Sequence, residues 1–151
     1  AQEGRRYTLA ELEKLADEDL QRNKQRYQRL ASRVRATRPA ANELLAAATK
    51  IMDASRAFIV EKRLATIPSE DRCVLRESPP YQRWNAAFLN MAGPYDEADE
   101  AFYYITLPDP SWPEKEQREY IFPWGVLQAT TVHEVYPGHF LHGLWIERAP
   151  T

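Results

Sequence analysis

The three histidines of the chain, His133, His139 and His142, lie within ten residues near its C-terminus. Glu134 directly follows the first of them. Imidazole nitrogens are common zinc ligands, and a carboxylate beside them can take a proton from a water molecule. Because no other histidine occurs in the sequence, this clustering predicts a zinc site in the segment.

The spacing of these residues departs from the zinc-peptidase pattern His-Glu-x-x-His, in which two histidines lie one helical turn apart. His133 and His139 are six residues apart. On an ideal helix they would be rotated by about 120° and separated by about 9 Å of rise, too far to share one ion. Pro137 removes a helix hydrogen bond, and Gly138 accepts almost any backbone conformation. We therefore expect the helix to stop near Val135, bend and restart, which could return His139 to His133.

Two interpretations of the segment stay open at this point. In the first, His133 and His139 bind Zn²⁺ and Glu134 is the general base. His142 is then a third ligand, a group that orients a ligand, or a stabiliser of the transition state. In the second, Pro-Gly is an ordinary turn between helices and the histidines are incidental. The apolar residues of the segment then form core: Val132, Val135, Phe140, Leu141, Leu144 and Trp145.

The composition is that of a soluble globular protein, with 44% hydrophobic residues, 28% charged residues and a net charge of -2. This small charge argues against a nucleic-acid partner. No apolar run approaches the roughly 18 residues of a membrane span, and no signal peptide is visible. We expect a soluble protein, either cytoplasmic or exported with a removed signal. Cys73 is the single cysteine, which excludes an internal disulfide and predicts a small buried residue.

Two long amphipathic helices are expected in the first part of the chain. Thr8 and Glu11 form a capping-box pattern at the start of the first helix. Its apolar stripe follows three-and-four spacing through Leu9, Leu12, Ala16, Leu20, Tyr27, Leu30 and Val34. Pro39 ends this helix, and the second begins there or at Asn42. The apolar face predicted for the second helix comprises Leu45, Ala48, Ile51 or Met52, Ser55, Phe58 and Ile59.

The middle of the chain is rich in proline, which excludes long helices there. Two short strands are expected, at Cys73–Glu77 and Ala101–Leu107, paired as a short β-hairpin or with a missing element. Ser111 is predicted to cap a further helix. A motif-bearing helix is expected over Trp124–Val135. Six aromatic residues could line a pocket, although most are expected in the core: Tyr103, Tyr104, Trp112, Tyr120, Trp124 and Tyr136.

Together these elements predict a mainly α protein with a small β element, an α+β fold. The expected organisation is a single domain or fragment over residues 1–151. A helical hairpin occupies residues 8–65, proline-rich loops and short strands occupy residues 66–113, and motif-bearing helices occupy residues 114–148.

The segment from His133 to His139 resembles the His-Glu-x-x-Pro-Gly-His signature of the bacterial domain of unknown function 885 family. Three other stretches are similar to the family as well, at residues 75–80, 101–104 and 107–114. The resemblance covers residues 7–148. It implies a mostly helical, gluzincin-like protein several hundred residues long, related to zinc metallopeptidases.

The resemblance also implies roles for single residues. His133 and His139 match the expected zinc ligands, and Glu134 matches the expected general base. His142 departs from the pattern, since family members often carry glutamine there. The third ligand would be a glutamate from a later helix, expected beyond Thr151, so the chain is expected to be a fragment.

The sequence therefore predicts a zinc-dependent hydrolase of the metallopeptidase type that cleaves peptide or small amide substrates, with one Zn²⁺ and with Glu134 as general base. The site is expected to be incomplete, and this chain alone inactive. The alternative is a non-catalytic helical scaffold or interaction domain with a degenerate or empty metal site. Neither nucleic acid nor membrane is an expected partner, whereas surfaces exposed by truncation could form a homo-oligomer.

Overall fold

The structure is a computed structural model that describes residues 7–31, 33, 36–93 and 100–148. It is mainly helical with one small sheet, as the sequence predicts. The helices are α1 (Leu9–Ala31), α2 (Leu44–Lys62), α3 (Glu114–Tyr120), α4 (Trp124–Glu134) and α5 (His139–Ile146). The strands are β1 (Cys73–Glu77), β2 (Ala87–Asn90) and β3 (Ala101–Ile105).

The chain divides into two compact units, Ala1–Arg35 and Ala36–Thr151. In the first unit, α1 begins with the predicted capping box. The backbone N–H of Thr8 donates to Oε2 of Glu11 at 2.7 Å, and the N–H of Glu11 donates to Oγ1 of Thr8 at 3.3 Å. None of the residues of α1 is buried. Val34, the last residue of the predicted stripe, lies outside the described residues.

In the second unit, α2 ends at Lys62 because Arg63 adopts a left-handed backbone, with φ of 52°. Its buried residues are Leu44, Ala47, Ala48, Met52 and Ile59. The predicted apolar face was therefore partly wrong, since Phe58 is 52% exposed. The reason is that contacts with α4 and β1 decide which side of α2 is covered, and local spacing contains no information about those neighbours.

The sheet has the strand order β1-β3-β2. β1 and β3 are parallel, with Cys73 opposite Ala101, whereas β2 is antiparallel to β3, with Leu89 opposite Tyr103. The predicted β-hairpin of the first and last strands is thus wrong. The chain between them is long enough to cross over and return in the same direction, and it supplies β2, a strand that the sequence pattern did not reveal.

The core lies between one face of the sheet and helices α2, α4 and α5. Of the six aromatic candidates, only Tyr103 and Tyr136 are buried, whereas Trp112 and Trp124 are 38% and 43% exposed. The prediction that most belong to the core is therefore wrong. Among the apolar residues of the histidine segment, Trp145 is 47% exposed and its ring N–H donates to the Thr66 carbonyl, whereas the buried ones are Val135, Phe140, Leu141 and Leu144.

The start of α3 also differs from the prediction. Ser111 does not cap the helix, because its N–H and its hydroxyl both donate to Oδ1 of Asp109, at 2.8 and 2.7 Å. These hydrogen bonds, the backbone one first, lower the pKa of the Asp109 carboxyl. The residue before α3 is Pro113, whose missing N–H suits a helix start.

Candidate metal centre

The bend between α4 and α5 places the histidines. α4 ends at Glu134, and α5 begins at His139 after a link that contains a cis peptide bond between Tyr136 and Pro137. Hydrogen bonds hold both ends of this link, residues 135–138. The N–H of Val135 donates to the Thr131 carbonyl at 2.9 Å, and the N–H of His142 donates to the Gly138 carbonyl at 3.1 Å. The helix break that the Pro-Gly pair predicts is therefore present.

Gly138 allows the link to fold back onto the last turn of α4. A Cβ atom at this position would lie 1.7 Å from the carbonyl oxygen of His133 and 2.6 Å from that of Val132. Both obstacles are backbone atoms, which cannot rotate away. The close approach therefore requires glycine for reasons of space.

The bend brings the imidazoles of His133 and His139 together. Their Nε2 atoms are 3.1 Å apart, and the rings meet edge to face with centroids 4.6 Å apart and an interplanar angle of 83°. Two nitrogens bound to one tetrahedral zinc at about 2.0–2.1 Å would lie roughly 3.3 Å apart. The same distance also suits a hydrogen bond in which one ring donates to the other. Both rings are exposed, so an ion in solvent can reach the pair.

Glu134 is held by the sheet. Its Oε2 atom accepts a hydrogen bond from the backbone N–H of Leu89 at 3.0 Å. Because the N–H of Thr106 donates to the Ala86 carbonyl, alternate residues of β2 bond to β3, and Leu89 directs its N–H to the outer edge of the sheet. Sequence reasoning missed Leu89, since its contribution is a backbone group that only the strand register can place.

A buried polar pair, Tyr103 and Thr131, joins α4 to the central strand β3. The hydroxyl groups of Tyr103 and Thr131 are 3.3 Å apart, and both residues are fully buried. Burial raises the pKa of Tyr103 to about 12, and the negative charge of Glu134 contributes in the same direction. Burial likewise raises the pKa of the Cys73 thiol to about 12. Both groups are therefore neutral near pH 7, and Cys73 is the buried small residue that the sequence predicts.

His142, the remaining predicted site residue, is exposed on α5, three positions after His139. Within residues 7–31, 33, 36–93 and 100–148, no group of three or more His, Cys, Asp or Glu residues could hold a metal ion. In the described chain the candidate ligands are thus the pair of histidines. Among these same residues, no helix combines the length and the apolarity needed to cross a membrane.

The fold and site define a mainly helical protein in which a bent helix pair presents two histidines beside a glutamate. The whole chain, residues 1–151, matches the family described as bacterial protein of unknown function (DUF885), and it belongs to that family. A solved protein of unknown function from Shewanella oneidensis, described as a proposed lipoprotein, is similar in fold, with a TM-score of 0.63 and 22% identity. The match covers 76% of this chain and 20% of that protein, so the chain spans about a fifth of its length. No curated protein matches the sequence significantly.

Proposed function

We propose that this chain contributes part of the active site of a zinc-dependent hydrolase of the metallopeptidase type. The observation that carries the proposal is the 3.1 Å separation of the Nε2 atoms of His133 and His139 across a six-residue spacing. These two residues would hold the ion, and a third ligand would come from a part of the protein outside the described residues. A bound Zn²⁺ would polarise the substrate carbonyl and lower the pKa of the water molecule that it binds.

Glu134 is the proposed general base. The hydrogen bond from Leu89 to Oε2 limits rotation of the carboxylate and leaves Oε1 to accept the proton of the attacking water. The same oxygen then returns this proton to the amine nitrogen as the carbon–nitrogen bond breaks. A backbone N–H is suited to holding the carboxylate because it does not give up its own proton near neutral pH.

The outer edge of β2 supports a peptide as the substrate. The register directs the backbone groups of Ala87 and the carbonyl of Leu89 away from β3, on the same edge where the N–H of Leu89 binds Glu134. An extended chain can add to such an edge through main-chain hydrogen bonds. A peptide bound in this way would run past the carboxylate that acts on it.

His142 is proposed to stabilise the negative charge that develops on the carbonyl oxygen. Residues three positions apart in a helix lie on neighbouring parts of one side, so His142 and His139 are close along α5. An imidazole N–H that donates a hydrogen bond there would stabilise the transition state more than the bound substrate.

The proposal is tested by zinc titration calorimetry and peptide hydrolysis on the protein that contains this chain. His133→Ala and His139→Ala should each weaken zinc binding at least tenfold. Glu134→Gln should keep zinc and lose roughly 100-fold or more of turnover, the usual contribution of a general base. Absence of stoichiometric zinc from the wild-type protein would overturn the proposal.

A non-catalytic scaffold is the second candidate. It is favoured by the fact that the described residues contain no group of three metal-ligating side chains. A protein that binds zinc with the affinity of a single pair of ligands, and hydrolyses no peptide, would support this candidate against the first.

A further inference from the structure

Two large aromatic side chains are exposed to solvent on the turn that precedes β2. Tyr81 is 78% exposed and Trp84 is 83% exposed, the highest value among the large hydrophobic residues described in the second unit. Exposed tryptophan offers a large rigid surface for binding. Because neither ring contributes to the core, the stability of the fold does not explain their presence.

The turn that carries these rings is firmly anchored. The guanidinium of Arg83 donates to Glu77 at 3.1 Å and to the Leu107 carbonyl at 2.9 Å. The carbonyl of Asn85 accepts a hydrogen bond from the buried Thr106 hydroxyl, which also contacts the buried Ser78 hydroxyl at 2.8 Å. Arg83 forms an ion pair with Glu77, and its charge also acts on the nearby Asp109 carboxyl, so charged contacts hold the turn in place.

The position of the turn connects it to the candidate site. Trp84 is five residues before Leu89, whose N–H binds Glu134. A fully extended chain spans at most about 3.6 Å per residue, so the two Cα atoms are at most about 18 Å apart. A peptide paired with β2 would advance about 3.3 Å per residue, so it would cover the distance from Leu89 to the turn in at most about five residues.

We propose that Trp84, assisted by Tyr81, binds an apolar or aromatic side chain of an extended peptide substrate, at most about five residues from the bond to be cleaved. This inference rests on the proposed function and extends it from peptide cleavage to selection among peptides. The anchored turn keeps the entropy cost of binding low, since the aromatic surface is already in place. The exposed rings themselves favour an apolar or aromatic side chain.

The test uses the full-length protein with Glu134→Gln, so that binding is measured without turnover. The probes are alanine-rich peptides of about ten residues with one phenylalanine moved through successive positions, and a tripeptide as the short reference. Trp84→Ala should weaken binding of the best long peptide at least tenfold and leave the tripeptide unchanged. Trp84→Phe should retain most of the affinity. Trp124→Ala, which removes a 43% exposed ring at the start of α4, is the matched control and should have no effect.

Several results would overturn the inference. Equal losses for long and short peptides would show a general disturbance rather than a subsite. Unchanged binding in Trp84→Ala would show that the ring takes no part. Low acrylamide quenching of the fluorescence that Trp84→Phe removes, measured without peptide, would show that another part of the protein covers the ring. If peptides bind at Trp84 but the wild type does not hydrolyse them, the proposed function is wrong and the peptide-binding role of Trp84 stands. If the wild type hydrolyses peptides and Trp84→Ala has no effect on binding, the proposed function stands and the role of Trp84 is wrong.

Discussion

Gly138→Ala is the substitution that most directly tests how the histidine pair is assembled. The new Cβ atom would lie 1.7 Å from the His133 carbonyl oxygen and 2.3 Å from its carbonyl carbon. These are backbone atoms of the last turn of α4, so no side-chain rotation can relieve the overlap. The link must move away from α4, and His139, the next residue, must move with it.

The size of the movement follows from the distances. Cβ atoms are essentially never found within 3.0 Å of such an atom, so the link must shift by at least 1.3 Å, the difference between 3.0 and 1.7 Å. A shift of this size along the line between the imidazoles would increase the 3.1 Å separation to about 4.4 Å. Two zinc bonds of about 2.0–2.1 Å span at most about 4.2 Å even when they are collinear, so the two imidazoles could no longer bind the same ion.

We therefore expect Gly138→Ala to weaken zinc binding at least tenfold, equivalent to about 1.4 kcal/mol, in titration calorimetry. The overlap should also lower the free energy of unfolding by about 1–3 kcal/mol, measured by urea denaturation. Gly125→Ala is the matched control. A Cβ atom there meets nothing within 4 Å, and alanine is the better helix former, so zinc binding should be unchanged and stability equal or slightly higher.

The reasoning would be refuted if Gly138→Ala folded with wild-type stability and bound zinc as tightly as wild type. In that case the bend would not depend on the close approach at Gly138. Weaker zinc binding in Gly125→Ala by the same factor would also contradict it, because the loss would then reflect the removal of any glycine from this region.

Three further predictions concern the surroundings of the pair. His142→Ala should leave zinc affinity unchanged and lower peptide turnover in the full-length protein by roughly 10-fold or more. A loss of zinc affinity as large as that of His133→Ala would show that His142 is a ligand instead. Thr131→Val should remove the buried hydrogen bond to Tyr103 and lower the free energy of unfolding by about 1 kcal/mol in urea titrations; no change would mean that this bond is not formed. Stability should fall as pH rises from about 9 to about 12, because the native state holds protons on Cys73 (ordinary pKa 9.0) and Tyr103 (ordinary pKa 10.0) that the unfolded chain releases first. Thermal melts of Cys73→Ala should show a flatter decline over this range, and an identical pH profile would contradict the assignment.

Much of the fold was predictable because its signals are local. The capping box of Thr8 and Glu11 uses atoms within one helical turn, and α4 lies within one residue of its predicted bounds. The strand at Cys73–Glu77 was also located, since short runs of β-branched and apolar residues report on backbone preference. The partners of these elements were not predictable, because strand direction and helix burial depend on contacts between residues distant in the sequence.

The errors have different causes. β1 and β3 pair in parallel rather than as a hairpin, and β2 was not recognised because four residues at a sheet edge show little periodicity. Ser111 had the right side chain for a helix cap, but Asp109 lies close enough to bind it first. Most of the six aromatic candidates were expected in the core, and the exposure of one of them, Trp124, depends on which surfaces the neighbouring elements cover.

The sequence by itself determined the family, the chemistry available at His133, Glu134 and His139, and the break at Pro137 and Gly138. These follow from residue identity and from backbone preferences that act over a few residues. Only the tertiary structure decided that the break returns the two imidazoles to 3.1 Å and that a strand edge holds the glutamate. Both depend on how α4, α5 and β2 pack, and the free energy of packing is shared among residues far apart in the chain.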